Sequence, residues 1–374
     1  MKVILTGATG VLGSHIMYEI LESFVQNGID GTLYLISRAK GKVSAKERIS
    51  KLLSSSYTPK NLKEIGLETL HQYIQLIDVD LSEVPEAYSN IIQGAYFIHS
   101  AGFVNLSTDE EQRDKIFEEN TAFTKTIFET FSPFITKFIY ISTAFSSGER
   151  SGIIGNDFHN LDFEPRFRNA YENAKFESEK FVIEQSNSLG LPFQILRPSV
   201  IGGKMMGTEN NYFIPKFMVF YLLAKFFHFT ANKSSKQLNV RFIVNSATGL
   251  NIIPVDYVAK IIFNTFQRED IQQLNIVNRT SFNIVSGLEL IMNEVGYSNF
   301  STVSDTFDFD YQNSIEKIYY ESIGKHLKPY FITDANEYDT SMLQSILPIP
   351  NVDATALTNM IHYARMHKFK DIKV

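Results

Sequence analysis

Residues Thr6 to Gly13, TGATGVLG, constrain this chain more than any other stretch. The apolar run Val3-Ile4-Leu5 precedes them and reads as a buried parallel strand. The apolar-periodic Leu12, Ile16, Ile20, Leu21 and Val25 follow and read as a helix. A glycine turn between strand and helix lets backbone N–H groups approach a pyrophosphate at the positive end of the helix dipole. Gly7 then allows the tight turn, Gly10 removes the Cβ that would block the phosphates, and Gly13 lets the helix pack closely on the strand. The spacing is GxxGxxG, and its place between strand and helix assigns it to a dinucleotide.

The strand–helix alternation continues for two hundred residues. Strands are expected at 32–37, 73–77, 95–99, 137–141 and 193–196, and helices at 45–53, 111–131 and 170–188. Such alternation implies an α/β fold, a doubly wound parallel sheet with ligands at the carboxyl ends of its strands. Residues from about 203 to 250 read as irregular and aromatic-rich, 252–278 return to the sheet pattern, and 280–374 read as mostly helical with one acidic-aromatic loop at 305–311. The division expected is a dinucleotide-binding domain from 1–202 plus 252–278, and a smaller, mostly helical substrate lobe from 203–251 plus 279–374.

Composition removes several function classes. A chain of 374 residues with 44% hydrophobic content can bury a large core, and a net charge of −6 gives no general pull toward nucleic acid or anionic membrane. There is no cysteine, so disulfides, thiol catalysis and thiolate metal sites are excluded. The first strand begins near residue 2, which leaves no room for a signal peptide, and a cytoplasmic location is expected. The most lipid-like stretch, 212–229, is broken by Pro215, Lys216, Lys225 and His228, so no transmembrane segment is expected, while a surface-bound or pocket-lining helix stays open.

Catalytic chemistry is concentrated at the end of the fifth strand and on the next helix. Tyr171 and Lys175 stand four apart, on one helix face, and Ser142-Thr143 close the strand where the cofactor should lie. A hydroxyl, a tyrosine and a lysine beside a nicotinamide form a proton-transfer device, in which the lysine charge is expected to lower the tyrosine pKa. Thr143 would hydrogen-bond the substrate oxygen as charge builds on it. No His/Asp set accompanies a serine in nucleophile-elbow context, so acyl hydrolysis has no support.

Together TGATGVLG, Asp80-Leu81, HSAG at 99–102, Asn120, STAF at 142–145, YENAK, LRPSVIG at 196–202 and PVDYV at 254–258 resemble the extended short-chain dehydrogenase/reductase family, in order over much of the chain. The resemblance implies a Rossmann-type fold in which Gly7, Thr9, Gly10, Val11, Leu12 and Gly13 hold the cofactor phosphates. It implies that Asp80 and Leu81 meet the adenine, Ala101 and Gly102 line the cofactor, and Pro198, Ser199 and Val200 flank the nicotinamide. Thr143, Tyr171 and Lys175 would be catalytic, Lys175 also holding the cofactor ribose, with Asn120 supporting the site. Aligning ISTAFSSG with the family's strand-five signature selects Thr143 over Ser142. Phe123 departs from the glycine of many members, and a dimer through a helix pair is common on the fold.

An NAD-selective site places an acid at the end of the second strand. Here Ser37-Arg38 stand there, followed by Lys40, Lys42 and Arg48, so a 2′-phosphate is the better guest and NADPH the expected cofactor. Within the family, YLISRAKGKVSAKERISKLL and HSAGFVNLS are similar to the fatty acyl-CoA reductase and carrier-protein thioester reductase branch, with Gly102 replacing its second alanine. That similarity assigns both Arg38 and Arg48 to the 2′-phosphate and implies NADPH-dependent reduction of an acyl thioester, from CoA or an acyl carrier protein, to aldehyde or alcohol. The aromatic stretch 212–229 would suit the acyl chain or serve as a packing helix. Lys204, Lys216, Lys225, Lys233 and Lys236 could meet an acidic carrier or form a solvated surface. A sterol or β-keto acyl oxidoreductase, a nucleotide-sugar epimerase or dehydratase, and a non-catalytic NADPH-binding protein are the alternatives. Retention of both Tyr171 and Lys175 weighs against the last.

Overall fold

The structure is a computed structural model of the whole chain, and it describes all residues except 38, 79–80, 151, 160–164, 208, 210, 234–236, 305–309 and 372–374. Arg38, Asp80, Lys236 and most of the acidic-aromatic loop therefore lie outside the described residues.

Seven parallel strands form the central sheet: β1 (Lys2–Thr6), β2 (Thr32–Ile36), β3 (Ile74–Ile77), β4 (Ala95–His99), β5 (Ile135–Ile141), β6 (Phe193–Pro198) and β7 (Gln273–Ile276). Their order is β3-β2-β1-β4-β5-β6-β7, so the chain reverses its direction of travel between β1 and β4. Loops leaving neighbouring strands there diverge to opposite faces, and the crevice between them is where doubly wound sheets hold their ligands. Strand alternation sorts the side chains. Val3 and Leu5 enter an apolar cluster with the helices Val11–Gln26 and Val255–Thr265, while Ile4 enters one on the opposite face with Phe97, Phe138, Ile127 and Val182. The sheet is buried on both sides, as an all-parallel sheet must be.

A third cluster gathers residues from 200–252 and 284–369. The helices Phe220–Ala231, Ile284–Val295 and Ala354–Met366 pack together in it, beside a strand Val240–Ile243 paired in parallel with Phe300–Val303. The expectation of an irregular 203–250 is thus corrected by a twelve-residue helix and a strand. The helix FYLLAKFFHFTA is apolar on nearly every side, so it carries no polar face from which a period could be read. Short helices at Lys60–Ile65, Leu67–Gln72 and Val84–Ile92 are further elements that the periodicity did not disclose.

Candidate active site

Glycine packing shapes the turn after β1. Gly7 has φ +75°, and a Cβ there would lie 2.8 Å from the Ala101 nitrogen at the neighbouring β4 exit. A Cβ on Gly13 would stand 2.1 Å from the Gly7 carbonyl oxygen, so the first helix approaches its strand as closely as backbone permits. The Gly10 N–H donates to that same carbonyl at 2.7 Å and closes the turn. Arg48 stands on the helix Ala45–Leu53, which a Ser44/Glu47 capping box starts. Its guanidinium reaches back to donate to Thr9 Oγ1 at 2.6 Å, which brings a fixed positive charge onto the turn.

At the end of β4, Thr6 Oγ1 accepts the N–H groups of Ser100 and Ala101, each at 3.1 Å, and lies 2.8 Å from His99 Nδ1. His99 is fully buried, and burial with the nearby Lys175 charge holds its pKa near 3, so it is a neutral strut. Asn120 sits in a π-helical turn, Glu118–Ala122, and brackets Phe103 by accepting its N–H at 3.0 Å and donating to its carbonyl at 3.1 Å. Its amide also donates to the Ile116 carbonyl at 2.8 Å, so it acts on the site through the 102–103 backbone.

The helix Ala170–Leu189 begins at Asn169, whose side chain caps the Glu172 N–H, and it carries Tyr171 and Lys175 one turn apart. Lys175 is buried and donates to the Ile141 carbonyl at 2.8 Å, with its ammonium 4.2 Å from the Tyr140 ring centroid. Burial lowers its pKa to about 7, with the Glu179 carboxylate opposing. Burial pushes Tyr171 upward, and the adjacent Glu172 acts in the same direction. The expected lowering of the tyrosine by the lysine is therefore reversed in this state of the chain, because desolvation of the phenolate dominates.

A buried polar cluster lies beneath Thr143, and the sequence reading missed it. Glu179 accepts from Ser142, from Ser146 at 2.6 Å and from Arg197 Nε at 2.9 Å, and it pairs with His159 at 2.6 Å. Burial raises its pKa, but Arg197 and His159 overrule that and bring it to about 2. The available signal was its spacing, since Glu179 continues the Tyr171, Lys175 stripe by one more helical turn. A second cluster, Arg168, Asn169, Glu172, Tyr330 and Asn336, ties the start of that helix to the C-terminal segment.

One cavity of about 740 Å³ joins these parts. Gly10, Val11, Leu12, Gly13, Ala101, Gly102, Thr143, Tyr171, Lys175, Pro198, Ser199 and Val200 all lie on its wall. Gly7, Thr9, Arg48 and Asn120 are not among the residues that line it, and Leu81 instead packs on the β-sheet cluster around Ile4 and Tyr34. The cavity continues between Phe217, Phe220, Leu223, Leu288, Ile291 and Phe331. The glycine cradle, where a Cβ on Gly7 or Gly13 would clash with backbone, fits the close approach of a dinucleotide pyrophosphate.

Comparison with known proteins agrees with this geometry. The family profile described as male sterility protein, an NAD-binding family, matches residues 5–262. A Drosophila melanogaster protein named as a fatty acyl-CoA reductase is 23% identical over 231 residues, covering 54% of this chain and 41% of that protein. The chain thus spans less than half the length of that relative. Among solved structures, the terminal R domain of the myxalamid PKS-NRPS biosynthetic pathway has a TM-score of 0.71 at 19% identity, covering 99% of this chain and 92% of that one. UDP-glucuronic acid 4-epimerase from Bacillus cereus, in complex with UDP-glucuronic acid and NAD, has a TM-score of 0.63 at 18% identity, covering 98% and 100%. The structural likenesses establish the Rossmann-type fold, and no described helix is long and apolar enough to cross a membrane. With more than half of its length matched by the family profile, the chain belongs to the extended short-chain dehydrogenase/reductase family of oxidoreductases, in the male sterility, or fatty acyl-CoA reductase, branch.

Proposed function

We propose that this chain is an NADPH-dependent reductase of an acyl thioester, carried on CoA or an acyl carrier protein, yielding aldehyde or alcohol. The observation that carries the reading is the continuity of the cavity, from the glycine turn past Thr143, Tyr171 and Lys175 into walls of phenylalanine, leucine and isoleucine. A nucleotide sugar would need polar partners along that second half. NADPH, when bound, supplies the hydride for the thioester carbonyl. Thr143 and Tyr171 are positioned on the cavity wall to donate to the oxygen as it gains charge. Tyr171 is a protonated phenol near neutral pH, the form that a reductase needs in order to deliver a proton. Lys175, fixed against the Ile141 carbonyl, would hold the cofactor ribose one helical turn away. Collapse of the resulting hemithioacetal breaks its C–S bond and releases thiol and aldehyde.

Preference for NADPH is supported by Arg48 over the turn and by Arg38 in the sequence. Exposed Lys40, Lys216 and Lys225 on the cavity wall would meet an anionic carrier group in this reading. The same proposal makes 1–202 plus 252–278 the cofactor domain and 203–251 plus 279–374 the substrate lobe, supported by the apolar cluster that gathers most of the latter, with Val200 and Ile252 joining it and Leu343 packing in the sheet cluster instead. Its test is a substrate panel with the purified chain: acyl-CoAs, β-keto acyl groups, sterols and UDP-sugars, each with NADPH and NADH. NADPH consumption confined to the thioesters supports the proposal. Consumption confined to ketones, or epimerisation of a UDP-sugar, overturns it.

A further inference from the structure

Gly287 is a part of the apolar wall that packing does not explain. It is the fourth residue of the helix Ile284–Val295 and is buried there, although glycine is a poorer helix former than alanine. Its φ is not positive. A Cβ built on it would approach Phe282 Cδ1 at 3.5 Å, an ordinary contact, and no other group outside its own helix turn within 4 Å. By contrast, a Cβ on Gly202 would stand 2.9 Å from Met360 Sδ. Neither backbone nor neighbours demand a glycine at 287, and the space that it leaves belongs to the cavity.

Ile284, Gly287, Leu288 and Ile291 share one helix face, and all line that cavity. The Ile284 end stands at the chemistry. Ile284, Phe145 and Tyr330 border a common recess, and the Tyr330 hydroxyl accepts from Asn169, the cap of the Tyr171 helix, at 2.7 Å. Ile291 lies seven residues on, roughly 10 Å along the axis. An extended chain advancing ~1.3 Å per bond, as ~1.5 Å C–C bonds dictate, covers that span with roughly eight methylenes. Gly287 is met one turn in from the chemical end.

We propose that Gly287 sets the length of aliphatic chain that the cavity admits. Its bare backbone keeps the apolar arm open beyond the first helical turn, so a side chain at this position would shorten the acyl chain that the cavity accepts. This inference rests on the thioester-reductase reading and names a specificity-determining residue within it.

The experiment compares wild type with Gly287→Ala and Gly287→Leu on acyl-CoAs from butanoyl to hexadecanoyl. In parallel, saturated fatty acids of the same lengths displace a fluorescent polyene fatty acid from each protein. Gly287→Leu is expected to keep butanoyl turnover within about threefold and to lose about tenfold or more with hexadecanoyl, its displacement cut-off moving to shorter acids in step. Gly287→Ala, with room for its methyl, should shift the profile in the same direction by less, and it carries the comparison if the larger residue prevents folding. Length profiles parallel to wild type in both assays overturn the role of Gly287. If displacement shortens while no acyl-CoA is reduced, the role of Gly287 stands and the thioester-reductase reading falls.

Discussion

Ser142 and Thr143 both line the cavity, but their hydroxyls are engaged differently: Ser142 donates to the buried Glu179 carboxylate, while among the described residues the Thr143 hydroxyl accepts only the Phe145 N–H at 3.3 Å. That difference supports the proposal of Thr143, with its proton free to donate, as the oxyanion donor. Thr143→Ala is expected to lower kcat by about 10²–10³-fold with folding intact, as loss of one oxyanion donor does. Ser142→Ala should instead cost about 1.5–3 kcal/mol of stability, the range for a hydrogen bond to a charged group, with kcat within a few-fold of wild type. Steady-state kinetics and thermal denaturation of both variants check this, and a larger catalytic loss in Ser142→Ala contradicts it.

Lys175 gives the chain a pH signature. Its pKa falls from an ordinary 10.5 to about 7 in the fold, so between those values the unfolded chain binds more protons at this group. Its contribution to stability therefore rises as pH increases from about 7 toward 10.5. The Tm of wild type relative to Lys175→Met should climb between about pH 7 and 9. A difference that is flat, or that shrinks with pH, is the contrary result.

Breaking the pair beneath the active-site turn should be severe. Glu179→Gln leaves Arg197 buried against a neutral amide, and removing one partner of such a pair costs about 3–5 kcal/mol. Because the folded pKa of Glu179 is depressed from 4.5 to about 2, the wild-type contribution is present above 4.5 and is lost as pH falls through 2. Denaturant unfolding near neutrality measures the penalty, and a change under ~1 kcal/mol would show the pair to be dispensable.

The proposed preference for NADPH assigns the 2′-phosphate to Arg48, in contact with Thr9, and to Arg38, which follows β2 in the sequence. Arg48→Ala and Arg38→Ala should each raise the NADPH dissociation constant about 10–100-fold, as loss of a charge-assisted hydrogen bond does, with little effect on NADH. Fluorescence titration with both nucleotides provides the check. Equal losses for both would remove the 2′-phosphate from the account.

Much of this architecture was legible where local signals act alone. The helix Ala45–Leu53 has its capping box in the sequence SAKE, and β4 is the apolar run Ala95–His99 with the expected bounds. The long helix expected at 111–131 runs without interruption from Arg113 to Phe131, and the π-turn Glu118–Ala122 inside it, which carries Asn120, is a local change of period that the pattern did not disclose. The partners of Glu179 come from three separate segments, at Ser142 and Ser146, at His159 and at Arg197, so sequence spacing is silent about them. The strand Val240–Ile243 finds its partner in Phe300–Val303, across a distance that hydropathy does not report.

The most direct measurement couples two readouts in one cuvette: oxidation of NADPH and release of thiol from a long-chain acyl-CoA, with Tyr171→Phe alongside. The chain has no cysteine, so a thiol reagent reports only the thiol of the substrate. Thioester reduction predicts thiol appearing in fixed proportion to NADPH consumed, one to one for an aldehyde product and one to two for an alcohol, with both signals lost in Tyr171→Phe while NADPH still binds. NADPH oxidised without thiol, or thiol released without NADPH, contradicts it.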